Sequence, residues 1–172
     1  MKKATFAGGC FWCMEYAFSK IQGIVDIKVG YANCRIRNPN YESVSKGNTG
    51  CYEAVQITYD ENKLSYETLL DVFWHNINPE DDEGQFSDKG EQYRTAIFWH
   101  SQEQRQKAIE SKNALLKKGI FNEIRTKIIK FKNFYIAEDY HQAYYRKNPI
   151  RFFVYESLSG RKAFIEKVWG KH

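Results

Sequence analysis

The stretch ATFAGGCFWCMEYAFSK, residues 4–20, combines an apolar run, a pair of glycines and two cysteines. It begins with a short apolar run that ends at Gly8-Gly9, which is typical of a buried strand followed by a turn. Apolar side chains then recur at helical spacing, at Phe11, Met14, Phe18 and Ile21. The stretch therefore predicts a strand that runs directly into a helix, with Cys10 at the start of the helix and Cys13 one turn further on.

Outward from this stretch, alternating apolar residues predict further strands. The most regular ones are IVDIKVGYAN (24–33), with Val25, Ile27, Val29 and Tyr31 on one face, and CYEAVQITYD (51–60), with Glu53, Val55, Ile57 and Tyr59 on one face. Two shorter strands are predicted in YRTAIFWH (93–100) and TKIIKF (126–131). The segments 34–50 and 78–92 are rich in polar residues and glycine, and we predict them as loops, the second one exposed.

Helices are predicted between these strands. Ser65 caps a segment whose apolar residues follow the i, i+3, i+4 rule, and Ser101 with Gln104 forms a capping-box pattern for a helix that ends near Gly119. The order of elements predicts an α+β fold, a mixed β-sheet with helices packed on it in a two-layer ferredoxin-like core. Residues 137–148 are predicted as a short helix or turn. The last 25 residues carry weaker signals, but their apolar side chains predict packing at Phe152, Phe153, Val154 and Trp169.

Composition favours a single folded domain over residues 1–172, with a catalytic core over about 4–146 and a C-terminal extension over about 147–172. The chain has 42% hydrophobic residues and a net charge of +5, and its basic residues are interleaved with apolar ones, which argues against a nucleic-acid-binding stripe. No apolar run approaches the ~18 residues of a membrane span. We expect a cytoplasmic protein that is monomeric or weakly associated and binds neither nucleic acid nor membrane.

The four cysteines all lie in the first third of the chain, at Cys10, Cys13, Cys34 and Cys51. This clustering indicates a local thiol function in a reducing compartment, because a disulfide-stapled secreted domain is smaller and spreads its cysteines. A cysteine at a helix N-terminus faces unpaired N–H groups that favour its thiolate, so Cys10 is a candidate nucleophile. Cys13 lies one helical turn away, so its thiol can form a disulfide with Cys10 after Cys10 has reacted. The alternatives are a four-cysteine zinc module, a general dithiol–disulfide exchanger, and two buried cysteines with no chemical role.

Five motifs together resemble the class A peptide methionine sulfoxide reductases in order and spacing. They are GGCFWCME (8–15), VGYA (29–32), TGCYEAVQITYD (49–60), DKGEQYRTAIFWHS (88–101) and AEDYHQAYY (137–145). The resemblance implies reduction of the S epimer of methionine sulfoxide, free and in proteins, as repair of oxidative damage. It also implies that Cys10 attacks the sulfoxide sulfur and that Glu53 is the acid that protonates the oxygen, a role for which partial burial on its strand would raise its pKa.

The resemblance assigns further residues around these two. Tyr31 and Tyr93 match the tyrosines that donate hydrogen bonds to the oxygen, an oxyanion-type role. Phe11 and Trp12 resemble the aromatic wall that receives the substrate methyl group, and Asp88 matches a loop aspartate over the substrate. His141 would support the site from behind.

The chain departs from many family members in the thiols that regenerate Cys10. Cys13 stands where many have glycine, and the C-terminal tail has no cysteine, so the resolving thiol must be Cys13, Cys51 or Cys34 unless an external thiol acts. Proximity on one helical turn favours Cys13. We expect no metal and no organic cofactor, and a dithiol donor such as thioredoxin as the partner that reduces the resulting disulfide.

Overall fold

The computed structural model describes residues 1–170 of the chain. Its strands are β1 (Lys2–Gly8), β2 (Ile24–Ala32), β3 (Tyr52–Tyr59), β4 (Gly84–Gln85), β5 (Asp88–Lys89), β6 (Thr95–Trp99), β7 (Lys127–Lys130) and β8 (Phe134–Ile136). Its α-helices are α1 (Phe11–Ser19), α2 (Tyr41–Ser45), α3 (Tyr66–His75), α4 (Gln102–Lys117), α5 (Tyr144–Lys147), α6 (Pro149–Ser159) and α7 (Arg161–Trp169). Short 3-10 turns cover Glu91–Tyr93 and Asp139–His141.

Six strands form one mixed sheet in the order β7-β6-β1-β3-β2-β8. Neighbouring strands are antiparallel except for β6 and β7, which run parallel. The four central strands β6-β1-β3-β2, connected through α1 and α3, have the βαββαβ arrangement of a ferredoxin-like fold, and β7 and β8 extend it at the two edges. The predicted α+β fold with a mixed sheet is confirmed.

The opening stretch folds as predicted, and its two glycines allow close packing at the turn. The Met14 side chain lies so close to Gly8 that a Cβ atom there would meet the Met14 sulfur at 2.6 Å. Gly9 has a φ of 87°, a left-handed conformation that glycine adopts without strain, and a Cβ atom there would meet Gln85 at 2.6 Å. The strand can therefore turn sharply into α1 and place Cys10 at the N-cap position of the helix.

The main core lies between the sheet and helices α1, α3 and α4. Phe6 of β1 stacks on Phe18 of α1 and Phe73 of α3, with ring centroids 5.5 and 5.2 Å apart, and all three side chains are fully buried. The alternating face predicted for β3 is buried throughout, at Glu53, Val55, Ile57 and Tyr59. Since the other three members of this face are apolar or aromatic core residues, Glu53 is a carboxyl group held at the edge of the core.

On β2, the predicted buried face begins later than the sequence pattern indicates. A β-bulge interrupts the pairing with β3 between Ile24 and Asp26. Val25 is consequently 58% exposed, whereas Val29 and Tyr31 are fully buried. A bulge inserts one extra residue and shifts the alternation of faces, which the pattern of apolar residues does not reveal.

Two segments predicted as loops contain regular structure. Segment 34–50 includes α2, where the Asn40 side chain accepts a hydrogen bond from the Ser43 N–H at 2.8 Å and the Ser43 hydroxyl accepts one from the Asn40 N–H at 3.0 Å. In segment 78–92, β4 and β5 form a hairpin, and Gln85 is fully buried with its amide group bonded to two backbone carbonyls. The prediction of an exposed loop is therefore wrong at Gln85. These elements are too short to show a periodicity.

Helix α4 begins at the predicted cap, but only half of the predicted capping box forms. The Ser101 hydroxyl accepts a hydrogen bond from the Gln104 N–H at 3.2 Å, whereas the Gln104 side-chain oxygen accepts from the His100 N–H at 2.9 Å. Strand β8 was not predicted. It pairs with only three residues of β2, which is too few for an alternating pattern to stand out.

Residues 147–170 complete the fold with α6 and α7. Helix α6 begins at Pro149, whose fixed φ suits the first position of a helix. The predicted packing is confirmed at Phe152, which is fully buried, at Phe153, whose ring packs on Tyr16 with centroids 5.4 Å apart, and at Trp169, whose ring lies 3.9 Å from that of His75. It is wrong for Val154, which is 54% exposed. Among residues 1–170, the structure forms no helix with the length and apolar composition that a membrane crossing requires.

A buried glutamate on α1 should make stability depend on pH. A Glu15 carboxylate oxygen accepts a hydrogen bond from the Ala143 N–H at 2.8 Å, and burial raises the pKa of Glu15 to about 7. The folded state therefore holds this proton more tightly than the unfolded chain, so the free energy of unfolding should fall by up to ~3 kcal/mol as the pH rises from ~4.5 through ~7. Glu15→Gln should flatten this part of the profile in urea unfolding. Parallel profiles for the two proteins over that range would contradict the assignment.

Candidate active site

A cavity of about 160 Å³ opens at the N-terminus of α1. Its lining comes from distant parts of the sequence: Cys10, Phe11, Trp12, Tyr41, Glu53, Asp88, Tyr93 and Tyr155. The structure thus brings together six of the residues predicted for the site. It adds Tyr41 and Tyr155, which the sequence analysis missed, and it does not place Tyr31 in the lining.

Cys10 lies at the N-cap of α1 and is almost closed to solvent, with 6% of its surface exposed. Its carbonyl oxygen accepts the hydrogen bonds of the first helical turn, from the N–H groups of Cys13 and Met14. Burial raises the pKa of the Cys10 thiol well above its usual value, and the hydrogen bond to Cys13 and the nearby Asp88 carboxylate act in the same direction. These effects oppose the thiolate that was predicted at this helix start and favour the thiol form of Cys10.

Glu53 faces the same cavity from β3 and is 2% exposed. Its Oε1 accepts a hydrogen bond from the Phe11 N–H at 3.3 Å, which ties the carboxyl group to the first turn of α1. Burial raises the pKa of Glu53 well above its usual value, and the neighbouring Cys10 raises it further. The expectation of a buried carboxyl group that keeps its proton agrees with the structure.

Phe11 and Trp12 form an aromatic wall, and His141 lies behind it as predicted. The Trp12 indole stacks on Tyr144 with centroids 3.8 Å apart, and its Nε1 donates a hydrogen bond to His141 Nδ1 at 3.0 Å. The His141 ring also packs on Phe11, with centroids 5.1 Å apart, and burial lowers the pKa of His141. A neutral imidazole that accepts through Nδ1 carries its proton on Nε2, so His141 fixes the orientation of Trp12 without adding charge.

Tyr41, and not Tyr31, supplies a hydroxyl-bearing ring to the cavity. The Tyr31 hydroxyl donates a hydrogen bond to Glu138 Oε1 at 2.8 Å, and the other oxygen of Glu138 accepts from the Tyr41 N–H at 2.9 Å. The structure therefore corrects the placement of Tyr31: its hydroxyl is engaged outside the cavity, and the shared carboxylate anchors the start of α2. The pattern Asn40-x-x-Ser43 is a capping signature that could have located α2 and hence Tyr41.

Tyr93 lies at the end of the 3-10 turn that precedes β6, and it lines the cavity as predicted. Burial raises the pKa of Tyr93, and the neighbouring carboxyl group of Glu53 raises it further. Its hydroxyl therefore remains protonated and available as a hydrogen-bond donor.

Asp88 and Tyr155 close the cavity from two later parts of the chain. The Tyr155 hydroxyl, on α6, donates a hydrogen bond to the Asp88 carboxylate on β5. Tyr155 also lies close enough to Cys10 to lower the pKa of its thiol through a hydrogen bond, a smaller effect than that of burial. The C-terminal segment therefore contributes directly to the site, although its sequence indicated only packing.

Cys13 is a free thiol in contact with Cys10, and 3% of its surface is exposed. The two thiols share a hydrogen bond, which lowers the pKa of Cys13; burial acts against this, and the Arg161 guanidinium lowers the pKa further. Arg161 is held in place by hydrogen bonds to the carbonyl oxygens of Gly8 at 2.8 Å and Asn76 at 2.5 Å. The predicted partner of Cys10 is therefore in place one helical turn away.

Cys34 and Cys51 form a disulfide bond with each other, across 17 residues of sequence. In this state neither can condense with Cys10, so the structure does not support them as alternative resolving thiols. The bond also contradicts a site in which all four cysteines bind zinc. Within residues 1–170, no group of three or more His, Cys, Asp or Glu side chains is arranged to hold a metal ion.

The site contains a thiol that can accept oxygen, an acid that can protonate that oxygen, and a second thiol in contact with the first. These three groups define the chain as a thiol-dependent oxidoreductase. The sequence profile of the peptide methionine sulfoxide reductase family matches residues 2–172, and the chain belongs to that family. It is a peptide-methionine (S)-S-oxide reductase. The function predicted from the five motifs is confirmed.

Individual relatives agree with this assignment. Peptide methionine sulfoxide reductase MsrA 2 of Staphylococcus aureus strain MW2 is 48% identical over 168 residues, which cover 97% of this chain and 95% of that protein. The crystal structure of reduced Mxr1 from Saccharomyces cerevisiae superimposes with a TM-score of 0.81 at 38% identity, covering 86% of each chain. The structure of Mxr1 in complex with Trx2 gives a TM-score of 0.55 at 29% identity, covering 83% of this chain and 84% of that one.

Proposed function

We propose that Cys10 removes the oxygen of methionine sulfoxide and that Glu53 is the acid for this step. The observation that carries the proposal is that the two groups line one cavity and are almost fully buried there, and burial raises the pKa values of both. A sulfoxide oxygen is a poor leaving group unless it gains protons as its bond to sulfur weakens. A carboxylic acid that keeps its proton at neutral pH can supply one.

The first step converts one thiol and one sulfoxide into a sulfenic acid and a thioether. The Cys10 sulfur bonds to the sulfoxide sulfur while Glu53 gives its proton to the oxygen, and the proton lost by the Cys10 thiol returns to Glu53. The hydroxyl group then passes from the substrate sulfur to the Cys10 sulfur as the bond between the two sulfurs breaks, which leaves the thioether and the Cys10 sulfenic acid. The sulfoxide is reduced by two electrons and Cys10 is oxidised by two, to its sulfenic acid. Because the Cys10 thiol and the Glu53 carboxyl group are both protonated before the step, the cavity holds no unpaired charge after the step is complete.

The cavity binds the end of the methionine side chain. Tyr41 and Tyr93 would donate hydrogen bonds to the sulfoxide oxygen, and the wall of Phe11 and Trp12 would contact the methyl group. A volume of about 160 Å³ is large enough for a methyl sulfoxide and the side chain that carries it. Because the cavity needs to bind only this side chain, the site suits both free and protein-bound methionine sulfoxide.

Cys13 then regenerates the site with an external reductant. Its sulfur attacks the Cys10 sulfenic acid, the Cys10–Cys13 disulfide forms and the oxygen leaves as water. A dithiol such as thioredoxin reduces that disulfide and completes the cycle. The complex of the related Mxr1 with Trx2 supports this choice of reductant.

The test is one round of reaction without external reductant. Fully reduced Cys10 and Cys13, mixed with methionine-S-sulfoxide, should give one thioether and lose two thiols per chain, whereas the R epimer should give none. Cys13→Ser should still form one thioether, but its steady-state rate with thioredoxin should fall by about tenfold or more, because its sulfenic acid has no thiol in contact. Mass spectrometry of the variant should show a single added oxygen. Unchanged turnover of Cys13→Ser would contradict the resolving role.

A further inference from the structure

A second cavity lies beside the same pair of thiols. Its volume is about 320 Å³, and Cys13 is part of its wall, whereas Cys10 lines the smaller active-site cavity. We propose that this second cavity binds a small thiol built on an amino acid, of the glutathione class, which reduces the Cys10–Cys13 disulfide by attacking the sulfur of Cys13. The inference rests on the proposed function, because it requires that disulfide.

The two cavities share no lining residue, and the same two helices separate them. On α1, Cys10 faces one cavity and Cys13 the other. On α6, Tyr155 faces the active-site cavity and the next residue, Glu156, faces the second one. A thiol in the second cavity therefore meets Cys13 before Cys10. It reaches the disulfide without entering the space that holds the sulfoxide.

The lining of the second cavity carries both signs of charge. Lys20, Lys162 and Arg161 are cationic, and Glu156 and Glu166 are acidic. An amino-acid thiol carries a carboxylate and an ammonium group and can form charge-assisted hydrogen bonds with both sets. The volume falls within the range of about 300–1,000 Å³ that is typical of small-molecule sites. Charge and size together favour a zwitterionic thiol over a neutral one.

The proposed chemistry uses two thiols and balances in two exchanges. The first thiolate bonds to the Cys13 sulfur, the Cys10–Cys13 bond breaks, and Cys10 takes the electron pair and a proton. A second thiol then attacks the outer sulfur of the mixed disulfide and releases Cys13 as its thiolate, together with the small-molecule disulfide. The hydrogen bond from Cys10 and the Arg161 guanidinium lower the pKa of Cys13, which makes it a good leaving group in this second exchange.

The experiment fills the second cavity without touching the catalytic residues. Ala17 lies in its wall, on α1, and Ala17→Leu keeps a strong helix former while adding bulk. Ala114→Leu makes the same change at an exposed position of α4 and serves as the matched control. Each protein is oxidised by one round with methionine-S-sulfoxide, the Cys10–Cys13 disulfide is mapped, and thiol recovery is followed with glutathione, with 2-mercaptoethanol and with thioredoxin.

We expect all proteins to give the same yield of thioether and the same disulfide. Ala17→Leu should slow reduction by glutathione about tenfold or more, because the added side chain displaces the glutathione sulfur from its position beside the Cys13 sulfur. Ala114→Leu should be reduced as fast as the parent protein. In a second, double variant, Lys20→Met with Lys162→Met, reduction by glutathione should be about fivefold slower. The rate of reduction by 2-mercaptoethanol, which is neutral, should be unchanged.

The outcomes separate the two proposals. Failure to form the Cys10–Cys13 disulfide would overturn the proposed recycling and, with it, this inference. If the disulfide forms but Ala17→Leu and Ala114→Leu are reduced equally fast by glutathione, the inference alone is overturned. It is also overturned if Ala17→Leu slows thioredoxin but not glutathione, because the cavity would then serve a protein reductant.

Discussion

Cys10→Ser should abolish reduction of methionine-S-sulfoxide, with no thioether detectable in a single round and no turnover with thioredoxin. Serine is only slightly smaller than cysteine and is a favoured residue at the N-cap of a helix, so the fold should persist. Its hydroxyl has neither the nucleophilicity of sulfur nor the capacity to hold the oxygen as a sulfenic acid. The measurement is thioether formed per chain, with circular dichroism to confirm that the variant is folded.

The matched control removes the other two cysteines. The double variant Cys34→Ala, Cys51→Ala lacks the disulfide but keeps both thiols beside the cavity, so it should still form one thioether and lose two thiols per chain. It should be less stable, by about 3 kcal/mol on the loop-entropy account for a loop of this size, and the reaction is therefore run well below its melting temperature. Thioether formation by Cys10→Ser, or its loss in the double variant, would show that the nucleophile has been misassigned.

The core of the site could be predicted because its residues lie at the ends of strongly patterned elements. Cys10 follows a strand and a pair of glycines, and Glu53 is part of an alternating face whose burial the pattern itself indicates. The fold confirms both placements. What the pattern could not give was the direction in which the pKa of Cys10 shifts, since that depends on how Asp88 on β5 and Tyr155 on α6 pack around the thiol.

The residues that were missed depend on contacts between segments far apart in sequence. Tyr31 was assigned to the site because it lies in the motif VGYA. Tyr41 was missed because it lies in a segment predicted as a loop, where α2 has only five residues and no apolar period. The position of Tyr155 depends on how α6 docks beside the α1 N-terminus, which no local pattern encodes. The bond between Cys34 and Cys51 likewise follows from the pairing of β2 with β3, which places Ala32 opposite Tyr52.

Glu53→Gln should slow the single-round formation of thioether by about 10²–10⁴-fold, the usual contribution of a positioned general acid. Glutamine has the same shape and can still accept the hydrogen bond from the Phe11 N–H, so the substitution removes the acid and little else. Glu15→Gln is the matched control, because it makes the same change at a buried glutamate that does not line the cavity and should leave the rate unchanged.

The pH dependence gives a second measure of the same residue. Glu53 can donate its proton only below its own pKa, which burial and Cys10 raise well above the usual value. The parent protein should therefore keep its single-round rate through neutral pH and lose it as the pH rises through that raised pKa, and Glu53→Gln should lack this decline. A variant that reacts within about threefold of the parent rate, less than any positioned acid contributes, would show that another group protonates the oxygen. In that case Tyr93, which lines the same cavity and keeps its proton, is the next residue to replace.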